Sequence, residues 1–377
     1  MSRNTFSPDQ YAQRRIFQIF DFPLLTITLM LCAIGVAAIY SANLQSDSAF
    51  MKSLYFKQVY YIILSLGIMM AVALIDYRAL ERFAYPLYFI GLFALSATLI
   101  FGKVGGGSRR WVTLAGYNIQ PSELMKIILI IILARVFDDM MKKDDLGAAD
   151  LVRPGLITLV PFIMVASQPD LGTAMIFIFV FVCMAFFNGL KADFLARTTA
   201  LLALATPSFW FLLKPYQKNR ILTMLNPEAD PMGHGYHIIQ SKIAIGSGGL
   251  WGKGIFMGTQ SKLNFLPAKH TDFIFSVLAE EVGFFGAAAL IALFFILILR
   301  MMEVMSLAKD KFGSLLVMGV ASMISFNFLF NIGMTMGLFP VVGIPLPFIS
   351  YGGSALITNF IGMGLVLNVS LGRYRLD

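Results

Sequence analysis

The chain has 377 residues, of which 58% are hydrophobic and only 13% charged, and its mean hydropathy is +0.77. That balance excludes an ordinary soluble domain and defines a membrane protein. The net charge of +8 sits in arms and loops between apolar runs, where it orients the chain and asks for an anionic partner, with no sign of nucleic-acid binding.

A charged arm, residues 1–19, carries Arg14 and Arg15 ahead of the first apolar run, Phe22 to Tyr40. This run is longer than a signal-peptide core and no small-x-small cleavage site follows it, so it reads as an uncleaved first helix. Apolar runs then recur at a length that crosses a ~30 Å hydrocarbon core at about 1.5 Å per residue. They are nearly unbroken, whereas barrel strands alternate over about ten residues. The expectation is therefore an all-α polytopic membrane protein, one domain over 1–377. Ten transmembrane helices fall at about 20–41, 56–75, 82–101, 121–138, 154–168, 171–189, 193–213, 272–300, 312–338 and 350–370. Pro169 divides one long stretch into helices five and six, because it removes a backbone donor. A large extracytoplasmic loop, 214–271, separates helices seven and eight. Cys32 and Cys183 fall inside spans as packing residues.

Lys and Arg in short loops place both termini in the cytoplasm. The inner side collects Arg3, Arg14, Arg15, Arg78, Arg82, Arg135, Lys142, Lys143, Arg153, Lys191, Arg197, Arg300, Lys309, Lys311, Arg373 and Arg375. The short outer loops hold Lys52, Lys57, Lys103, Arg109 and Arg110. Even-numbered helices then start at the outer face, and polar motifs stand at those starts: QPSEL, QPDLG, HTDF and SYGGS. They should converge on one outward-facing site, where helix N-termini favour anions.

Asp272, Asp170 and Ser122 each stand where an N-cap would, a role compatible with function. Glu280 and Glu281 lie about 12–14 Å deeper than Asp272 at helical rise, where a charge needs compensation. Lys126 is a candidate, pairing either with Glu123 three residues back or across to helix eight. Such intramembrane charges read either as a structural cluster or as the floor of a functional cavity. Asn327 and Asn331 share a helical face as interhelical polar contacts. His234, His237 and His270 make no convincing zinc set. GSGGLWGKG is not a Walker loop: Ser247 replaces its first Gly and Gly254 its Ser or Thr. The glycines instead shape an irregular segment, with Lys253, Lys262 and Lys269 around it.

The chain resembles the SEDS (shape, elongation, division and sporulation) family through GSRRW at 107–111, QPSELMKI at 120–127 and QPDLGT at 168–173. The match continues in the segment from Asn226 to Gly254, LPAKHTDFIF at 266–275, AEEVGFFG at 279–286 and GLFPVVGIPLPFISYGGSALI at 337–357. It is most similar to the elongation member. One departure is Ala268, where the family commonly has Glu. The resemblance implies ten helices and a peptidoglycan glycosyltransferase that polymerises lipid II on the outer face of the inner membrane. It also implies a class B penicillin-binding protein and other elongasome proteins as partners. Asp272 is then the expected general base. Arg109, Arg110, Lys126, Lys218, Arg220, Lys262, Ser350 and Ser354 are candidate substrate contacts. Glu123, Asp170, Glu280 and Glu281 would support that basic shell. No cofactor is assigned, although Mg²⁺ is compatible with Glu123 and Asp170. A lipid II flippase is the rival reading, and a scaffold for other wall enzymes the third.

Overall fold

The structure, a computed structural model, describes residues 20–44, 51, 53–105, 108–114, 117–140, 148–189, 211, 214–230, 233–262, 265–266 and 268–373. The arm 1–19, the predicted span 193–213 apart from Phe211, and Lys52, Lys142, Lys143, Lys191, Arg197 and Arg375 lie outside the described residues.

Helices α1 (Phe22–Asn43), α2 (Leu54–Leu74) and α3 (Tyr77–Phe101) follow the sequence expectation closely, then α4 (Pro121–Met140), α5 (Val152–Ser167) and α6 (Leu171–Phe187). Two further helices, α7 (Pro215–Leu225) and α8 (His234–Ser247), lie within the long segment read from sequence as a loop. The chain closes with α9 (Ile274–Ser306), α10 (Lys311–Thr335) and α11 (Gly353–Gly372). Seven of the described helical segments are long and apolar enough to cross a membrane: α1, α2, α3, α5 taken with the helical turn before it (Ala149–Ser167, 19 residues), α9, α10 and α11. Helix α4 has 20 residues but carries Glu123, Lys126, Arg135, Asp138 and Asp139, and α6 is apolar but only 17 residues long.

The all-α polytopic architecture holds, and between α3 and α4 it carries a small sheet not anticipated from the sequence. There β1 (Lys103–Gly105), β2 (Ser108–Leu114) and β3 (Tyr117–Ile119) form an antiparallel meander. Short connections suit such a hairpin, and its backbone groups pair with one another rather than with a helix.

Helices α10 and α11 form the centre of the bundle, with about four-fifths of their apolar windows buried. Outer helices keep a lipid-facing stripe: Phe89, Phe93 and Phe101 of α3 are all largely exposed. Asp side chains start several helices by accepting backbone N–H bonds: Asp21 from Leu24, Asp76 from Arg78, Asp170 from Thr173 and Asp310 from Gly313.

Helix α9 contains a break at Gly283, whose φ is 66°. The interruption frees carbonyls in the preceding turn, and the glycine loop after α8 supplies their donors. The N–H groups of Lys253 and Gly254 each donate at 3.0 Å, to Glu280 O and Glu281 O. In return, Phe284 N–H donates to Gly249 O at 2.9 Å and Phe285 N–H to Leu250 O at 3.2 Å. Backbones meet so closely that a Cβ on Gly248 would stand 2.2 Å from Ala279 O. The glycines of GSGGLWGKG are thus there for close approach.

Basic residues concentrate at one end of the bundle: Arg78 and Arg82 at the start of α3, Arg135 towards the end of α4, Arg153 at the start of α5, Arg300 towards the end of α9 and Arg373 after α11. The starts of α4, α6, α9 and α11 gather at the opposite end.

Candidate active site

At that opposite end lies a cavity of about 950 Å³. Its wall includes Gln120 just before α4 and Glu123 and Leu124 from its first turn, Asp170 and Thr173 at the start of α6, His270, Thr271 and Asp272 before α9, and Gly352 to Ala355 at the start of α11. All four sequence motifs expected to converge contribute to it. Tyr60, Tyr61 and Leu64 of α2 and Arg110 and Trp111 of β2 complete one side.

Asp272 is not a helix cap. The first residue before α9 is Phe273, with no capping side chain. HTDF instead forms a tight turn in which the N–H groups of Thr271 and Phe273 both donate to Ala268 O. Three long-range contacts hold that turn. Asn331 Nδ2 of α10 donates to Asp272 O at 3.0 Å and to Ile344 O at 2.7 Å. Ser350 Oγ donates to Thr271 O at 2.7 Å while accepting from Leu346 N–H at 2.8 Å. Tyr351 N–H donates to His270 O at 2.9 Å. Gly343 lies against the acid itself, since a Cβ there would stand 3.5 Å from Asp272 Oδ2.

Removal from water pushes the Asp272 carboxyl up to about 6 from 3.8. The nearby Arg220 and Arg110 guanidiniums and the Thr271 hydroxyl pull the other way. Arg220 of α7 is itself lowered by burial first and by Arg110 second, with Asp170 and Asp272 among the acids that offset this. Burial, and then the charge of Lys269, hold His270 below the usual imidazole range.

Arg110 is fixed by the α5–α6 corner: Nε donates to Gln168 O at 3.2 Å, NH2 donates to Pro169 O, and NH1 lies 3.7 Å from Asp170 Oδ1. Asp170 also accepts from Gln120 Nε2 at 3.0 Å. The two acids considered for Mg²⁺ are therefore both engaged, because Glu123 Oε2 stands 2.7 Å from Lys126 Nζ. Among the described residues no three His, Cys, Asp or Glu side chains group together as a metal site.

Lys126 is 2% exposed and takes the nearer of its two anticipated partners, Glu123. A buried pair losing one member leaves an uncompensated charge at a cost of about 3–5 kcal/mol. Lys126→Met is expected to lower the thermal unfolding temperature of the detergent-solubilised protein, and adding Glu123→Gln to restore part of the loss.

Other anticipated residues fall elsewhere. Glu280 and Glu281 do not line the cavity; they clamp the glycine loop. Glu280 Oε1 accepts from Lys253 Nζ at 2.7 Å, from Thr259 N–H at 2.8 Å and from Gln260 N–H at 3.1 Å. Glu281 accepts from Ser41 of α1. Ser350 is 5% exposed and spent on the backbone. Ser354 lines the cavity but bridges Gln120 N–H and Asn118 O. Lys218, on α7, is not part of the lining. Arg109 lies on β2 and Lys262 in the single helical turn Thr259–Lys262, their side chains outside the described ones. Sequence reasoning missed Asn331 as a support of the Asp272 turn, along with Tyr60, Tyr61, Trp111 and Tyr351 in the wall. Gln120 within QPSEL, Trp111 within GSRRW and Tyr351 within SYGGS stood inside motifs the sequence singles out, whereas Tyr60 and Tyr61 carried no signal.

A polytopic helical bundle with a half-buried acid near two guanidiniums at one end defines a membrane protein whose cavity suits an anionic ligand. The chain belongs to the SEDS family: the FtsW/RodA/SpoVE cell cycle protein model matches residues 22–375. The peptidoglycan glycosyltransferase MrdB of Escherichia coli K12 is 40% identical, over 95% of each chain. The peptidoglycan glycosyltransferase RodA of Treponema pallidum is 32% identical, over 93% of this chain and 97% of its own. Among solved structures, a chain of a peptidoglycan synthase complex superposes with a TM-score of 0.81 at 31% identity, covering 94% of this chain and 99% of that one. The rod shape determining protein RodA of Thermus thermophilus matches with a TM-score of 0.70 at 29% identity, covering 94% and 98%.

Proposed function

We propose that this chain is the peptidoglycan glycosyltransferase of the elongation machinery, polymerising lipid II at the outer face of the inner membrane with Asp272 as general base. The observation that carries the reading is a carboxyl pushed up to about 6 on the wall of a cavity that also holds Arg110. Such an acid is ionised near neutral pH yet is a stronger base than an ordinary aspartate.

The reaction joins an acceptor 4-hydroxyl to the anomeric carbon of a polyprenyl-pyrophosphate donor. The new C–O bond forms as the bond to pyrophosphate breaks, the configuration inverts, and the hydroxyl proton passes to Asp272. Arg110 on the cavity wall neutralises the departing pyrophosphate, and Arg220, which is not part of the lining, adds its charge nearby. Helix starts α4, α6 and α11 add partial positive charge to the same wall. Asp170 and Gln120 hold Arg110 in place, and Asn331 and Ser350 hold the Asp272 turn.

The membrane orientation follows the basic end of the bundle, which faces the cytoplasm. The cavity then opens outward, where a lipid-linked substrate can stay anchored in the outer leaflet. The elongation transpeptidase, a class B penicillin-binding protein, is the proposed partner. Of the four charges a flippase path would use, Glu280 and Glu281 are spent on the glycine loop and Lys126 is paired with Glu123, which favours catalysis over transport.

The test is incubation of the purified chain with lipid II in proteoliposomes, with and without the transpeptidase, and separation of glycan chains on a gel. A ladder of long strands is expected with the complex, and unreacted lipid II in every arm would overturn the proposal.

A further inference from the structure

The basic end of the bundle holds a second hollow, of about 410 Å³, lined by Arg78, Glu81, Arg82, Tyr85 and Arg135. Four of these share one face of α3 at the spacing i, i+3, i+4 and i+7, and Arg135 reaches in from α4. The lining thus sets three guanidiniums against one carboxylate.

The acids around the hollow are largely committed. Glu81 accepts from Arg135, which also lies 3.3 Å from Asp139 Oδ2. Asp310 accepts from Tyr77 at 2.6 Å, caps α10, and stands 3.4 Å from Arg78 Nε. Arg153 of α5 donates to the Tyr85 hydroxyl on the rim. Among the described residues Arg82 has no acidic partner. Exposed apolar side chains adjoin these residues in the chain: Leu74 and Ile75 before Arg78, Phe83 after Arg82, and Val152 and Leu156 on either side of Arg153 are all more than half exposed. A charged recess opening beside exposed apolar surface matches a ligand with an anionic head and acyl chains.

We infer that this hollow binds the phosphate headgroup of an anionic glycerophospholipid from the cytoplasmic leaflet. Guanidiniums suit the task, since their planar fork pairs two donors with two phosphate oxygens, and they keep their charge at any cellular pH. Basic pockets between spanning helices on the cytoplasmic side are a recurring form of such recognition. Occupancy would tie the start of α3 to the end of α4 and the start of α5, away from the catalytic cavity.

The test is native mass spectrometry of the full chain in detergent, titrated with phosphatidylglycerol, phosphatidylcholine or inorganic phosphate. The variants are Arg82→Gln, Arg82→Lys and Arg78→Gln/Arg82→Gln, with Arg300→Gln as an inner-end cation outside the hollow. Phosphatidylglycerol should be retained in preference to phosphatidylcholine, about fivefold less by Arg82→Gln and at least about tenfold less by the double variant. Arg82→Lys should fall between, and Arg300→Gln should match the parent protein. Each variant's glycan polymerisation reports that it is folded. Equal retention by parent and double variant would overturn the inference, as would an equal loss in Arg300→Gln, which indicates general surface charge. Displacement of the lipid by millimolar inorganic phosphate would also overturn it, assigning the hollow to a soluble anion.

Discussion

Asp272→Asn is expected to leave insertion and folding intact while cutting lipid II polymerisation by about 10²- to 10⁴-fold, the range of a general base. The amide is isosteric, so the HTDF turn survives. Its supports act on backbone atoms: Asn331 on Asp272 O, Ser350 on Thr271 O and Tyr351 N–H on His270 O. The variant loses the carboxylate's capacity to take a proton. It also removes a negative charge near Arg110 and Arg220, so binding of the anionic donor should hold or tighten. A fall in kcat with an unchanged or lower KM separates this from a folding defect. Polymerisation at the parent rate would remove Asp272 from the chemistry.

The second large effect concerns the glycine loop. Gly252 has φ +80°, and a Cβ there would stand 2.1 Å from Glu281 O. Gly252→Ala therefore meets both an unfavourable backbone region and a clash with main chain, which cannot rotate away. The loop must lift, and the bonds from Lys253 and Gly254 N–H to the freed carbonyls of α9 are lost with it. An unsatisfied buried group costs about 1–3 kcal/mol, so a total of about 3 kcal/mol or more is expected. The measurement is thermal unfolding of the solubilised protein. Gly246→Ala provides the internal control: it is helical, and its Cβ would meet nothing within 4 Å. That change should be neutral or slightly stabilising.

Much of this architecture is written locally and so could be read directly. Hydropathy runs of about twenty residues mark spans without any knowledge of partners, and the break at Pro169 separates α5 from α6 as expected. The convergence of QPSEL, QPDLG, HTDF and SYGGS followed from alternating helix direction alone. Pairings between distant residues were beyond such reasoning. Nothing near Glu280 in the chain points to Lys253, because the contact depends on a helix break at Gly283 and on how a loop folds back onto it. Asn331 looked like an interhelical contact for a similar reason: its partners are carbonyls at Asp272 and Ile344. The helices α7 and α8 and the β meander were hidden because charge and glycine mark loops without revealing their internal order.

The most direct test of the account is the pH dependence of the initial polymerisation rate, measured on the purified complex with saturating lipid II. Protonation disables the base, so the rate should fall as pH drops through about 6, by roughly tenfold per pH unit below it. His270 also faces the cavity, so the acid limb must persist in His270→Gln and vanish from the residual rate of Asp272→Asn. A parent rate that stays level down to about pH 4.5, as an ordinary carboxylate would allow, or a limb that survives in Asp272→Asn, would contradict the assignment.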